Sequence, residues 1–113
     1  MDIDGIYVYS FSDDSHTAFS LVVVRGGTIR SANPAERAED GTYRIDEAGV
    51  LQASITTSFA AGAQLLGRSP GHEAWQFTLD FAFKRGFDQQ CFVVETPVGD
   101  LELAISKVSG LKG

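Results

Sequence analysis

The stretch Trp75-Gln76-Phe77-Thr78-Leu79-Asp80-Phe81-Ala82-Phe83 puts a large apolar side chain at every odd position and a polar or small one at every even position. A period of two is the signature of an extended strand with one buried face. Trp75, Phe77, Leu79, Phe81 and Phe83 therefore share the core face, with Gln76, Thr78 and Asp80 on the other. A slip of one residue would turn all five large side chains into water, so the register is strongly specified.

Working outward from this strand, the rest of the chain reads the same way. Gly5 to Phe11 is rich in aromatic and β-branched residues and reads as a first strand. The polar turn Ser12 to Ser15 leads into a second strand, Ala18 to Arg25, and Gly26-Gly27 closes a tight hairpin into Thr28 to Ser31. Asn33 to Asp40 is a polar connection with room for one short helical turn. Gly41 to Ile45 alternates as a fourth strand, and the turn Asp46 to Gly49 leads into a fifth, Val50 to Thr57. Ala60 to Glu73, with Gly62, Gly67, Pro70 and Gly71, is long for a connection in a compact domain and reads as a mobile lid or binding loop. A Lys84 to Gln90 turn follows the Trp75 strand. Cys91 to Glu95 and Leu101 to Lys107, joined around Pro97 and Gly99, complete the set. Eight short strands with Gly- and Asp-containing turns predict an all-β fold, a single antiparallel barrel or sandwich domain over residues 1–113. An eight-stranded barrel either fills with side chains or holds one small ligand.

Composition narrows the function classes. Of the 113 residues 43% are apolar, the ordinary globular share. The longest pure apolar run, Leu21 to Val24, is far below the roughly 18 residues of a membrane helix. Met1-Asp2-Ile3-Asp4 has neither a basic nor an apolar segment after it, so no secretory signal is expected. The single cysteine, Cys91, fits a reducing, cytoplasmic location. Nine Lys and Arg against fifteen acids give a net charge of −6 and a pI near 4.7. Direct nucleic-acid binding, which needs a basic patch, and adhesion to anionic membranes are both disfavoured.

Three segments break the alternation: Ile6-Tyr7-Val8-Tyr9, Leu21-Val22-Val23-Val24 and Phe92-Val93-Val94. Apolar side chains on both faces imply that both faces are covered. If the last strand returns beside the first, these segments become neighbours and form a contiguous apolar outer surface. A homodimer interface through Ile6, Val8, Val22, Val24, Phe92 and Val94 is the expectation.

No constellation of catalytic residues emerges. Asp13-Asp14-Ser15-His16 holds acid, hydroxyl and imidazole in one run, but adjacent residues in a turn seldom converge as a triad, and Asp and Ser favour turns for backbone reasons. His16 and His72 stand at no metal-site spacing, phosphate loops are absent, and Cys91 sits in an apolar strand without a nearby base. The expectation is a protein without enzymatic activity, metal or cofactor.

Gly5-Ile6-Tyr7 opening the first strand, the hairpin Arg25-Gly26-Gly27-Thr28-Ile29 and the run Asp40-Gly41-Thr42-Tyr43-Arg44-Ile45-Asp46 together resemble the GrlR-like family, named for a negative regulator of type III secretion. The likeness covers roughly the first half of the chain. It implies a small eight-stranded up-and-down barrel of lipocalin-like (calycin-like) appearance, a homodimer, and no enzymatic activity. The founding regulator sequesters a DNA-binding transcriptional activator through an acidic cluster on a surface turn. The corresponding turn here is Asp46-Glu47-Ala48-Gly49, with two acids, so the resemblance makes Asp46 and Glu47 the candidate contacts for a basic protein partner such as a transcriptional regulator. The alternative expectation is a binder of a small apolar molecule or lipid, with Tyr43, Trp75, Phe77 and Phe81 lining the pocket and the Ala60–Glu73 loop gating it.

Overall fold

A computed structural model describes residues 4–31, 37–84 and 89–110. Among them are eight strands and no helix: β1 (Gly5–Ser12), β2 (Thr17–Arg25), β3 (Thr28–Ser31), β4 (Arg37–Ile45), β5 (Val50–Phe59), β6 (Trp75–Lys84), β7 (Gln89–Thr96) and β8 (Gly99–Gly110). All pairings are antiparallel and form one sheet in the order β6-β5-β4-β3-β2-β1-β8-β7. The sheet rolls into a nearly closed eight-stranded barrel, in which strands consecutive in sequence pair with one another except β6 and β7, and β8 returns to pair with β1.

The barrel stays unzipped between β6 and β7. Among the described residues no ladder joins them, and the rings of Phe81 and Phe92, 5.6 Å apart, bridge the seam. The alternation read from the Trp75 strand holds: Trp75, Phe77, Leu79 and Phe81 pack against the core, while Gln76, Thr78 and Asp80 are exposed. The side chain of Phe83 lies outside the described residues, as do residues 85–88 of the expected Lys84–Gln90 turn.

Two glycine sites show how local geometry sets the roll. Gly26 and Gly27 have φ of 60° and 88°, the left-handed pair of a type I′ hairpin, whose twist matches that of the flanking strands. Gly41 faces inward opposite Ile55, where a Cβ would overlap the Ser54 carbonyl and lie 2.9 Å from the Ile55 Cα. The backbones there approach more closely than any side chain permits.

Two expectations are corrected. Residues 32–36 lie outside the described residues, but Arg37 to Asp40, read as part of a polar connection with a helical turn, is the first half of β4. Its alternation is inverted in polarity: Arg37 and Glu39 point inward, while Ala38 and Asp40 take the alternate positions. A buried Glu breaks the pattern from which a strand is recognised. The Ala60–Glu73 segment, expected to be a mobile lid or binding loop, is no free lid: through Ala63 and Leu65 it packs as a plug over the barrel end formed by Phe11, Phe59 and Trp75. Ala63 and Leu65 are core residues, Leu65 at 0% exposure. Leu65 and Arg68 exchange backbone hydrogen bonds, and Trp75 Nε1 donates to the Ala63 carbonyl at 3.1 Å. Arg68 straps the plug down, donating to the Val98 carbonyl at 3.1 Å and to Asp13 Oδ2 at 2.7 Å.

Candidate functional site

The barrel interior comes first, because an apolar ligand would sit there. Tyr43 and Phe81 line a cavity at the end opposite the plug, together with Tyr7, Val22, Ile29 and Leu51. Its volume is about 30 Å³, roughly the share of one water molecule in the liquid and well short of the ~150 Å³ that holds a benzene-sized guest. Trp75 and Phe77 do not join this cavity. Trp75 stacks on Phe59 with centroids 3.9 Å apart and planes within 4°, and Phe77 meets Phe11 edge-on at 5.8 Å. Those rings fill the plugged end. The four residues expected to line one pocket thus divide between a slim cavity and a solid aromatic cluster, because residues six apart on a tilted strand lie at opposite ends of the barrel.

The acidic turns come second. Asp46 Oδ1 accepts from the amides of Val50 at 3.0 Å and Ala48 at 2.9 Å, and Oδ2 from Gln52 Nε2 at 3.1 Å. The Val50 amide, with Gln52 next, pulls its carboxyl below the usual carboxylate range. Asp46 therefore staples its own turn, whereas Glu47 is exposed. Asp13 does the same at the plugged end. It accepts from Ser15 N at 2.8 Å and His16 N at 2.7 Å, and these bonds with that from Arg68 lower its pKa to about 2. The run Asp13-Asp14-Ser15-His16 is a turn. Among the described residues no group of three or more His, Cys, Asp or Glu is gathered in metal-binding geometry.

The outer wall comes third. Tyr7, Tyr9 and Phe11 point into the barrel, which turns Ile6 and Val8 outward, as expected. Val22 and Val24, however, pair with Tyr7 and Gly5 on the inner face and are buried at 2% and 8% exposure. Phe92 and Val94 likewise pack against the core. These four are corrected from interface to core. The outward positions on the same strands belong to Phe19, Leu21 and Val23 on β2 and to Cys91 and Val93 on β7, with Phe19 67% and Val93 79% exposed. With Ile6, Val8, Ala104 and Val108 they make a largely apolar wall over β2-β1-β8-β7. The opposite wall, β4-β5-β6, is polar: Thr56 and Thr78 hydrogen-bond at 2.7 Å, beside Ser54, Gln52 and Asp80. One side of the barrel is dressed for water and the other is not.

The wall's charges stand at diagonal corners. Arg25 lies on β2 at the cavity end, beside Arg30 of β3, which is ion-paired with Asp40 at 3.5 Å, while Glu95, Asp100 and Glu102 lie where β7 and β8 meet the plugged end.

The site so defined is a surface on an all-β barrel rather than a cleft. Searched against family models, curated proteins and solved structures, the chain matches none.

Proposed function

We propose that the protein is a non-enzymatic, cytoplasmic interaction protein of the regulatory, GrlR-like kind, working as a homodimer that engages a basic protein partner. The observation that carries this reading is the apolar outer wall around Phe19, Leu21 and Val93. Exposed apolar side chains contiguous over four strands are the mark of an interaction surface. A second copy is the occupant that the charges favour. A two-fold axis running diagonally across the wall sets the Arg25 corner of each subunit over the Glu95/Glu102 corner of the other. In that arrangement the strands of the two walls cross near a right angle. The packed interior supports protein binding over ligand carriage, since its cavity is about 30 Å³.

The partner half of the reading rests on the resemblance, on the net charge of −6 and on the exposed Glu47. Asp46 contributes by holding the turn that presents Glu47.

Sedimentation of the wild type and of Leu21→Glu tests the dimer. The expected result is a dimer at micromolar concentration for the wild type and a folded monomer for the variant. A compact wild-type monomer would refute the wall as a self-association surface. For the partner, cross-linking in native lysate with the wild type and Glu47→Lys should yield different partner lists, and identical lists would remove Glu47.

A further inference from the structure

A polar belt crosses the middle of this apolar barrel. Tyr9 on β1 pairs in register with Ser20 on β2, and Glu39 on β4 pairs with Thr57 on β5. The Glu39 side chain is wholly buried. Its Oε1 takes Arg37 Nε at 3.3 Å and the hydroxyl of Ser20, and its Oε2 takes Ser31 Oγ at 3.1 Å. A carboxylate offers about four acceptor positions, so two hydroxyl donors and the Arg37 ion pair leave one open. Facing this group stand Tyr9 Oη and Thr57 Oγ1. Both residues are 0% exposed, and both hydroxyls lack a hydrogen-bond partner among the described residues. A buried hydroxyl without a partner is rare in a folded protein, and the usual remedy is an internal water with about three bonds.

We propose that Tyr9, Thr57 and Glu39 bind a single internal water molecule that ties β1, β5 and β4 together across the barrel. Both hydroxyls donate to the water, and the water donates one of its protons to the open position on Glu39. The surroundings make the site a sealed one. Phe11 lies edge-on against Tyr9 at 5.3 Å on the plug side, and Val22 and Ile55 bound the belt on the cavity side. The environment agrees: burial pushes the Tyr9 hydroxyl above its ordinary pKa. The Thr57 hydroxyl pulls the other way, although the two hydroxyls do not meet in hydrogen-bond geometry. The inference stands apart from the proposed function, since the belt touches neither the outer wall nor the acidic turns.

The test is a high-resolution crystal structure of the full chain together with water–amide NOE spectroscopy in solution. The expected result is one water within hydrogen-bond distance of Tyr9 Oη and Thr57 Oγ1, and a long-lived water signal at the Thr57 amide. Thr57→Val, which keeps the side-chain shape, should abolish that signal and lower Tm. Direct bonding between the two hydroxyls with no water present would overturn the proposal, and so would a higher Tm for Thr57→Val. If the variant does not fold, the wild-type density and NOE decide.

Discussion

Replacing Leu65 by Ala tests whether residues 60–74 form part of the core or a lid resting on it. Leu65 is the wholly buried residue of the plug, packed into the core at the Phe11, Phe59 and Trp75 end of the barrel. The substitution removes roughly three methylene equivalents at about 0.8 kcal/mol each. A residual cavity, which the turn between Leu65 and Arg68 prevents from collapsing, raises the loss to about 3 kcal/mol. Unfolding entropy near 2.1 cal/mol/K per residue over the 113-residue chain converts this to a Tm lowered by about 13 °C. Circular dichroism during heating and urea melts with an unchanged m-value are the assays, with Gln64→Ala, an exposed neighbour, as the control expected to melt like the wild type. A Leu65→Ala shift below about 4 °C would refute the reasoning, because it would mean that the plug detaches before the barrel melts.

Gly41→Ala should destabilise by about 3 kcal/mol or more, measured by urea unfolding, since the added methyl meets the β5 backbone rather than a movable side chain. Retention of wild-type stability would show that β4 and β5 are further apart than described. In acid, the folded pKa of Asp13, about 2, lies below its ordinary 3.8. Its contribution is therefore present above pH 3.8 and lost as the pH falls toward 2. Asp13→Asn, which keeps the turn's acceptor but does not titrate, should flatten stability against pH across that window; an unchanged slope in pH-dependent urea melts would exclude Asp13 as a source.

How much of this was legible in the sequence depends on what each residue had to satisfy. The Trp75 strand was readable because its large side chains occupy strictly alternate positions and admit one facing. In Leu21-Val22-Val23-Val24 either parity buries two aliphatic residues, so local composition left the facing open. The information lay in the hairpin: a two-residue Gly26-Gly27 turn sets Val24 opposite Ile29. Ile29, alone between Thr28 and Arg30, must point inward, which carries Val24 and Val22 inward with it. Phe19, Leu21 and Val23 follow as the outer set. The start of β4 was hidden for the opposite reason, since Arg37 and Glu39 sit where the pattern calls for apolar residues. Ser20 on β2 and Ser31 on β3, which donate to Glu39, and the Arg37–Glu39 ion pair make that burial tolerable. Asp46 was singled out for its charge, yet its carboxylate is engaged by amides two and four residues on.

The seam between β6 and β7 bears on how the chain finds this shape. Strands adjacent in sequence are left unpaired there, while circumferential closure falls to β1 and β8, where Gly5 and Gly110 are register partners. That ladder joins nearly the most distant segments of the polypeptide, so its loop-closure entropy is the largest in the molecule and its formation is favoured late. A circular permutant opened between β6 and β7 and fused near Gly5 and Gly110 would turn this distant pairing into a local hairpin. Its strands would then follow one another in the order β7-β8-β1 through β6, and lower contact order should make it fold faster than the native chain.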